Sequence, residues 1–284
     1  MKQRPTALHD VHLDGRPRAV AETWNELTRP LLLRVLGALH APTADELQLR
    51  IRLLAVLLQV PLAIVVLRFS PAQIIQIKWL ADFVLAELTL TVQLLPWVRL
   101  PWRRDWRRRR WWGPLQRFRN LRFLEFIFAD AYFVAYCQDP TQTQWLDQLV
   151  AVLYRPQRRP YRPKALDYDG DRREAFNPVH VAARAEQLRH LPPLEKLAVA
   201  TWYRGCRLEL ERDFPRVFTP DNESKAAEAT DGWAHVAREL SGGIFGPLEQ
   251  TEKQLTRDVL AKMEDDARRA EALREQARKN QLTA

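Results

Sequence analysis

Prolines cut this chain into helix-length pieces, and no other feature constrains its fold as much. Pro42, Pro61, Pro71, Pro96, Pro114, Pro140, Pro178, Pro193 and Pro247 recur along it, and the stretches between them are rich in Leu, Ala, Arg, Glu and Gln. Those five residue types favour helix, whereas proline lacks the N–H that a helix interior requires. The nineteen prolines therefore read as punctuation, and nine glycines are few for the many turns of an all-β protein. With 46% hydrophobic and 28% charged residues among 284, the chain has the makings of a sizeable core.

Start and stop signals place the pieces. Thr23 and Glu26 have the spacing of a capping box, predicting a helix over Trp24–Leu39 that His40-Ala41-Pro42 ends. Thr43-Ala44-Asp45-Glu46 reads as a second box, opening a helix through Val60 that Pro61 kinks or ends. Ser70 caps a third, with Pro71 in its first turn, running to about Leu95. The run Leu53–Leu67 is apolar but interrupted by Gln59 and Pro61, and is shorter than the roughly 20 residues a membrane span needs. The run Ile74–Leu95 carries Lys78, Asp82 and Glu87, with Lys78 and Asp82 spaced to pair on one helix face. Both runs read as bundle core rather than as a membrane hairpin.

Further helices are predicted over Leu115–Gln138, Thr143–Tyr154, Val179–His190, Pro193–Phe214 and Gly232–Leu240, with a terminal one from Pro247 to about Lys279. Beyond Glu264 its apolar stripe thins to alanines amid charges, as expected of a solvated end or one that waits for a partner. The expected fold is thus all-α, an irregular bundle of roughly nine helices. An irregular arm would occupy residues 1–20, the bundle 21–246, and an amphipathic helix and tail 247–284. Two long basic loops, near 96–114 and 155–178, would lie over its surface.

The charge is not spread evenly. Trp97–Arg122 holds ten arginines against one acid, Asp105, and five of the ten tryptophans. That strip carries the whole net charge of +9, so the rest of the chain is neutral and the positive field is local. Trp102, Arg103, Arg104, Trp106, Arg107, Arg108, Arg109, Arg110, Trp111 and Trp112 are the candidate site. Arginine grips carboxylates and phosphates through a planar fork, and tryptophan stacks on bases or on arginine. Trp and Arg are also favoured interface anchors, so docking to an acidic protein is the first reading. Packing against the bundle is the second, single-stranded nucleic acid the third, and an anionic membrane surface the fourth.

Nothing in the chain spells a catalytic motif. HExxH, GxSxG, GxxxxGK[ST] and GxGxxG are all absent, and Cys137 and Cys206 form no metal-ligand spacing. Both read as reduced, buried thiols. Asp167, Asp169 and Asp171 alternate around Gly170 but lack the spacing and terminal Glu of a calcium loop, so pairing with Arg172 and Arg173 is expected. No cofactor, no metal and no enzymatic activity are expected. The N-terminus has no apolar leader core, which predicts a cytoplasmic protein.

Several strings taken together are similar to a known family. They are TWNELT at Thr23–Thr28, LRFLEFIFADAYF at Leu121–Phe133, LDQLVAVLYRP at Leu146–Pro156, DGDRREAFN at Asp169–Asn177, WYRGCR at Trp202–Arg207 and GGIFGPLEQTEK near the end. In that order they resemble a family of uncharacterised proteins from bacterial prophage-like tail gene clusters. The resemblance implies a tail-assembly or tape-measure chaperone, or a minor tail component, with a long helical tail protein as partner and no catalytic residues. Self-association is a further expectation open to the C-terminal helix.

Overall fold

A computed structural model describes residues 8–13, 16–100, 110–166, 168–218, 233–243 and 245–282. The protein is predominantly helical, as expected. The chain forms two compact units, Met1–Leu95 with Pro192–Cys206, and Pro96–Leu191 with Arg207–Ala284.

The first unit opens with an antiparallel hairpin, β1 (Leu8–Leu13) and β2 (Arg16–Ala21), where an irregular arm was expected. The register sets Leu13 opposite Arg16 and Leu8 opposite Ala21, so the backbone groups of the two strands pair with each other. A 3-10 turn at Trp24–Glu26 precedes α1 (Arg29–His40). Thr23 makes no side-chain cap, and Glu26 instead accepts from the Glu22 N–H at 2.8 Å, so the expected box closes on the preceding residue. Leu31, Leu32, Val35 and Leu36 form the buried face of α1. In α2 (Glu46–Leu57) Asp45 is the cap, accepting from the Gln48 N–H at 2.7 Å, while Gln48 reaches back to Ala44 N at 2.9 Å. Next come α3 (Leu62–Arg68), α4 (Pro71–Ile77), a 3-10 turn (Lys78–Ala81) and α5 (Asp82–Leu85). The Ser70 box forms with both halves present. Asp82 pairs with Arg50 rather than with Lys78.

The long helix expected up to Leu95 stops at Leu85. The residues that follow give their backbone groups to distant partners. Asn25 donates to Thr89 O at 3.0 Å and accepts from the N–H groups of Thr91 and Val92 at 2.8 and 2.9 Å. The Trp202 indole donates to Thr91 O at 3.2 Å. Trp202 and Gly205 lie on α9 (Pro193–Asp213), and a Cβ at Gly205 would sit 2.2 Å from Leu90 O. Only glycine lets the helix backbone press that closely on the extended segment.

The second unit begins with a ribbon, β3 (Trp97–Arg99) antiparallel to β4 (Arg110–Trp112). Helix α6 (Phe123–Gln138) packs on α7 (Thr143–Leu153), and α7 on α8 (Val181–Leu188). Phe118, Phe123, Phe126, Leu149, Val150 and Leu153 are central to its core. Beyond lie α10 (Trp233–Leu240), α11 (Leu248–Glu252) and α12 (Thr256–Leu282). The expected single terminal helix is broken between α11 and α12. There Phe123 N donates to Gln254 O and Thr256 N to Leu121 O, both at 2.9 Å, so these backbones pair across the unit instead of along a helix. From residue 271 to 281 α12 is exposed on every side. Cys206 is buried as expected, whereas Cys137 is exposed.

Candidate functional site

The ribbon β3–β4 is where the structure places the described part of the arginine and tryptophan strip. Its strands alternate, as period-2 geometry requires. Val98 and Trp111, paired across the ribbon, point inward and are buried. Trp97 and Trp112 form one pair of the other face, and Arg99 and Arg110 the next. Two arginines directly opposite repel, and Trp97 offsets this by offering its ring to both. The Arg110 guanidinium lies 4.7 Å from the ring centroid and that of Arg99 5.7 Å. Neither arginine has an acidic partner among the described residues.

Where the sequence predicts a loop near 96–114, the described residues Trp97–Arg99 and Arg110–Trp112 are strands. Of the candidate residues, Trp111 is core and Trp112 is covered by another side chain, so only Arg110 of these three is placed to meet a partner. Trp102, Arg103, Arg104, Trp106, Arg107, Arg108 and Arg109 lie outside the described residues.

The base of the ribbon is fixed. Trp112 N donates to Arg155 O at 2.8 Å, and Arg155 N returns the bond to Trp112 O at 3.1 Å. Gln157 then bridges Arg173, extending the pairing to a third segment. At Gly113 a Cβ would lie 2.7 Å from the Tyr154 ring, so the chain leaves the ribbon pressed against that tyrosine. Arg172 lies between two aromatic rings, 4.0 Å from the centroid of Trp112 and 4.6 Å from that of Tyr161.

Beneath the ribbon is a feature that sequence reasoning placed on the surface. Most described residues of the loop 155–178 are exposed or half-buried, as expected, but Arg155, Asp171 and Arg173 are buried with Glu125 of α6. Arg155 Nη2 donates to Glu125 Oε1 at 2.7 Å. Arg173 Nη2 is 2.9 Å from Glu125 Oε2, an ion-pair contact too bent for a hydrogen bond. Asp171 accepts from Arg173 Nη2 at 2.7 Å, from its Nε at 3.0 Å and from its backbone N–H at 2.9 Å. Other guanidinium donors reach backbone oxygens, Arg155 Nη1 that of Val152 and Arg173 those of Leu153 and Asn120, while Arg155 Nε has no hydrogen-bond partner among the described residues.

Two cations and two anions make this cluster neutral, which is the condition for holding charge away from water. Burial acts against the ionised forms of Arg155, Arg173 and Asp171. It lowers the pKa of Arg155, with the neighbouring Arg173 charge adding to the effect. At Arg173 burial is outweighed by Glu125 and Asp171, which raise its pKa. At Asp171 burial would raise the pKa, but the Arg173 charge and hydrogen bonds hold it below the usual carboxylate range.

The expected pairing of this loop's aspartates with arginines is partly as predicted. Asp171 takes Arg173, and Asp169 takes Arg158 and, at 3.3 Å, Arg122. Arg172 stacks instead of pairing with acid. Asp167 lies outside the described residues. The alternation Asp169-Gly170-Asp171-Arg172-Arg173 was the available signal, since period 2 sends Asp171 and Arg173 to one side and Arg172 to the other. Glu125 alone within the apolar run LRFLEFIF was the second signal, because a lone acid in such a run needs a buried cation. Compared with known protein families, curated proteins and solved structures, the chain matches none.

Proposed function

We propose that this protein is a non-catalytic docking component of a phage-type tail assembly. In this reading the ribbon of Trp97–Arg99 and Arg110–Trp112 binds an acidic segment of a long helical partner. The observation that carries it is the pair Arg99 and Arg110, side by side on Trp97 with no acid of their own among the described residues. A carboxylate arriving there gains two charge-assisted contacts. The ribbon beneath is already locked through Arg155, Arg172 and Tyr154, so little ordering entropy remains to be lost on binding. The resemblance to tail-cluster proteins supplies the biological setting, and chaperoning of a tape-measure-like protein is its specific form.

The test is co-expression with the long helical tail protein of the same cluster. Its soluble fraction should rise with this protein, and Arg99→Glu with Arg110→Glu should weaken the complex about tenfold or more. No change in solubility, or no effect of the charge reversal, refutes the reading.

A cation and aromatic platform of this kind also suits single-stranded nucleic acid. Size-exclusion chromatography with light scattering and the 260/280 nm ratio separates the two readings. Co-eluting nucleic acid that leaves at high salt replaces the protein partner with a polyanion.

A further inference from the structure

Four of the large apolar side chains that the described surface leaves open lie on the consecutive helices α3 and α4, and a fifth follows directly after α4. Leu62, Val66 and Leu67 on α3 are exposed, as are Ile75 on α4 and Trp79 just after it. Leu67 is 81% exposed and Ile75 63%. Both apolar runs were expected in the core, but the fold uses only part of them. Leu53, Leu54, Leu57, Val65, Leu80 and Val84 are among those buried, and Ile64, Ile74 and Ile77 are half-buried. A concentration of open apolar residues in consecutive elements marks an interaction surface.

The charges around it indicate what kind. From Leu53 to Ala81 the only charged residues are Arg68 and Lys78. Arg68 closes α3 and Lys78 follows α4, and both are exposed. Neither has an acidic partner among the described residues, since Asp82, four residues from Lys78, is held by Arg50.

We propose that this α3–α4 corner is an interfacial anchor for an anionic lipid surface. Leu62, Val66, Leu67 and Ile75 enter below the headgroups, and Arg68 and Lys78 meet the phosphates. Trp79 lies at the headgroup level, where an indole is half wetted. The corner lies in the membrane face without crossing it. Among the described residues no single helix is long and apolar enough to span, and α2 with α3, which together have the length, are bent by 114°. A protein groove would seat the same leucines but would need acids at two fixed positions. An anionic bilayer supplies its negative charge everywhere along the surface.

The full chain is sedimented with phosphatidylcholine vesicles containing about a third phosphatidylglycerol, and with pure phosphatidylcholine vesicles. The expected result is pelleting with the anionic vesicles. Leu67→Glu with Ile75→Glu should lower the partition coefficient at least about tenfold, and Arg68→Glu with Lys78→Glu should remove the preference for the anionic lipid. These residues are exposed, so the melting temperature should stay unchanged in both variants. A second readout is an NBD label on Leu67→Cys in a Cys137→Ser background, whose emission should shift to the blue on anionic vesicles only. Binding that survives Leu67→Glu with Ile75→Glu would come from the arginine strip and would overturn the proposal. An NBD shift without lipid, lost on dilution, would identify a second copy as the occupant and overturn it equally.

Discussion

Glu125→Gln tests the buried cluster most directly. The substitution keeps the side chain's size but removes one of two negative charges from a group of four. Arg155, Arg173 and Asp171 remain, so the cluster changes from neutral to a net positive charge sealed from water. The glutamine oxygen can still accept from Arg155, where the carboxylate bond is 2.7 Å. Its amide nitrogen then faces Arg173 Nη2, placing a donor against a donor where an ion pair at 2.9 Å stood. Breaking a buried pair from one side costs about 3–5 kcal/mol. For a protein of this size, a kcal/mol moves the melting temperature by about 2–4 °C, so a fall of about 6–20 °C is expected. Differential scanning calorimetry reads it. The double variant Glu125→Gln with Arg155→Met leaves a neutral Arg173–Asp171 pair and should recover part of the loss, a coupling typically within about 0.5–3 kcal/mol. A single-variant loss below about 1 kcal/mol, in the range of a surface pair, would refute the claim that these charges are compensated in a dry interior. So would a double variant whose loss is the sum of the two singles.

Two further outcomes follow from the geometry. Asp171 is held below its ordinary pKa in the fold, so its stabilisation is complete above the unfolded value of about 3.9 and fades as pH falls through the lower folded value. Asp171→Asn should therefore be less stable than the parent at neutral pH, with the gap closing below about pH 4 in urea unfolding at a series of pH values; a gap independent of pH would show that the carboxyl is not ionised in the fold. Gly205→Ala places a methyl 2.2 Å from Leu90 O, backbone against backbone, and should cost about 3 kcal/mol, at the upper end of overpacking losses. Thermal unfolding checks it, and a neutral result would mean that α9 stands farther from the 89–92 segment.

Local signals in the sequence were legible where the structure uses them locally. Ser70 and Gln73 close a capping box within one turn, and Pro71 starts the helix it was expected to start. The α6 and α7 helices were predicted from spacing, although α6 starts at Phe123 rather than Leu115 because Gln116–Phe118 form a separate 3-10 turn. What failed was decided at long range. The helix expected to reach Leu95 is undone by Asn25 and Trp202, both far away in sequence. The terminal helix is interrupted because residues 254–256 pair with 121–123. The ribbon was missed because three-residue strands leave too little alternation to read, and because arginines beside tryptophans look solvated. The same bias put Arg155 and Arg173 on the surface: their burial depends on Glu125, which the sequence separates from them by a whole helix and more.

The division of the chain has a consequence for its synthesis. The first unit is completed by Pro192–Cys206, which bring Trp202, Tyr203 and Cys206 into its buried interior. A ribosome therefore releases all of 96–191 before the first unit has its last helical segment. During that interval Leu90 and Thr91 lack the helix that covers them, and the nascent first unit has apolar surface open to the wrong neighbour. A fragment ending at Leu95 would stay in that unfinished state. Separating the units requires a fragment that carries the 192–206 strand of sequence back to its unit through a new linker, and no single cut achieves it.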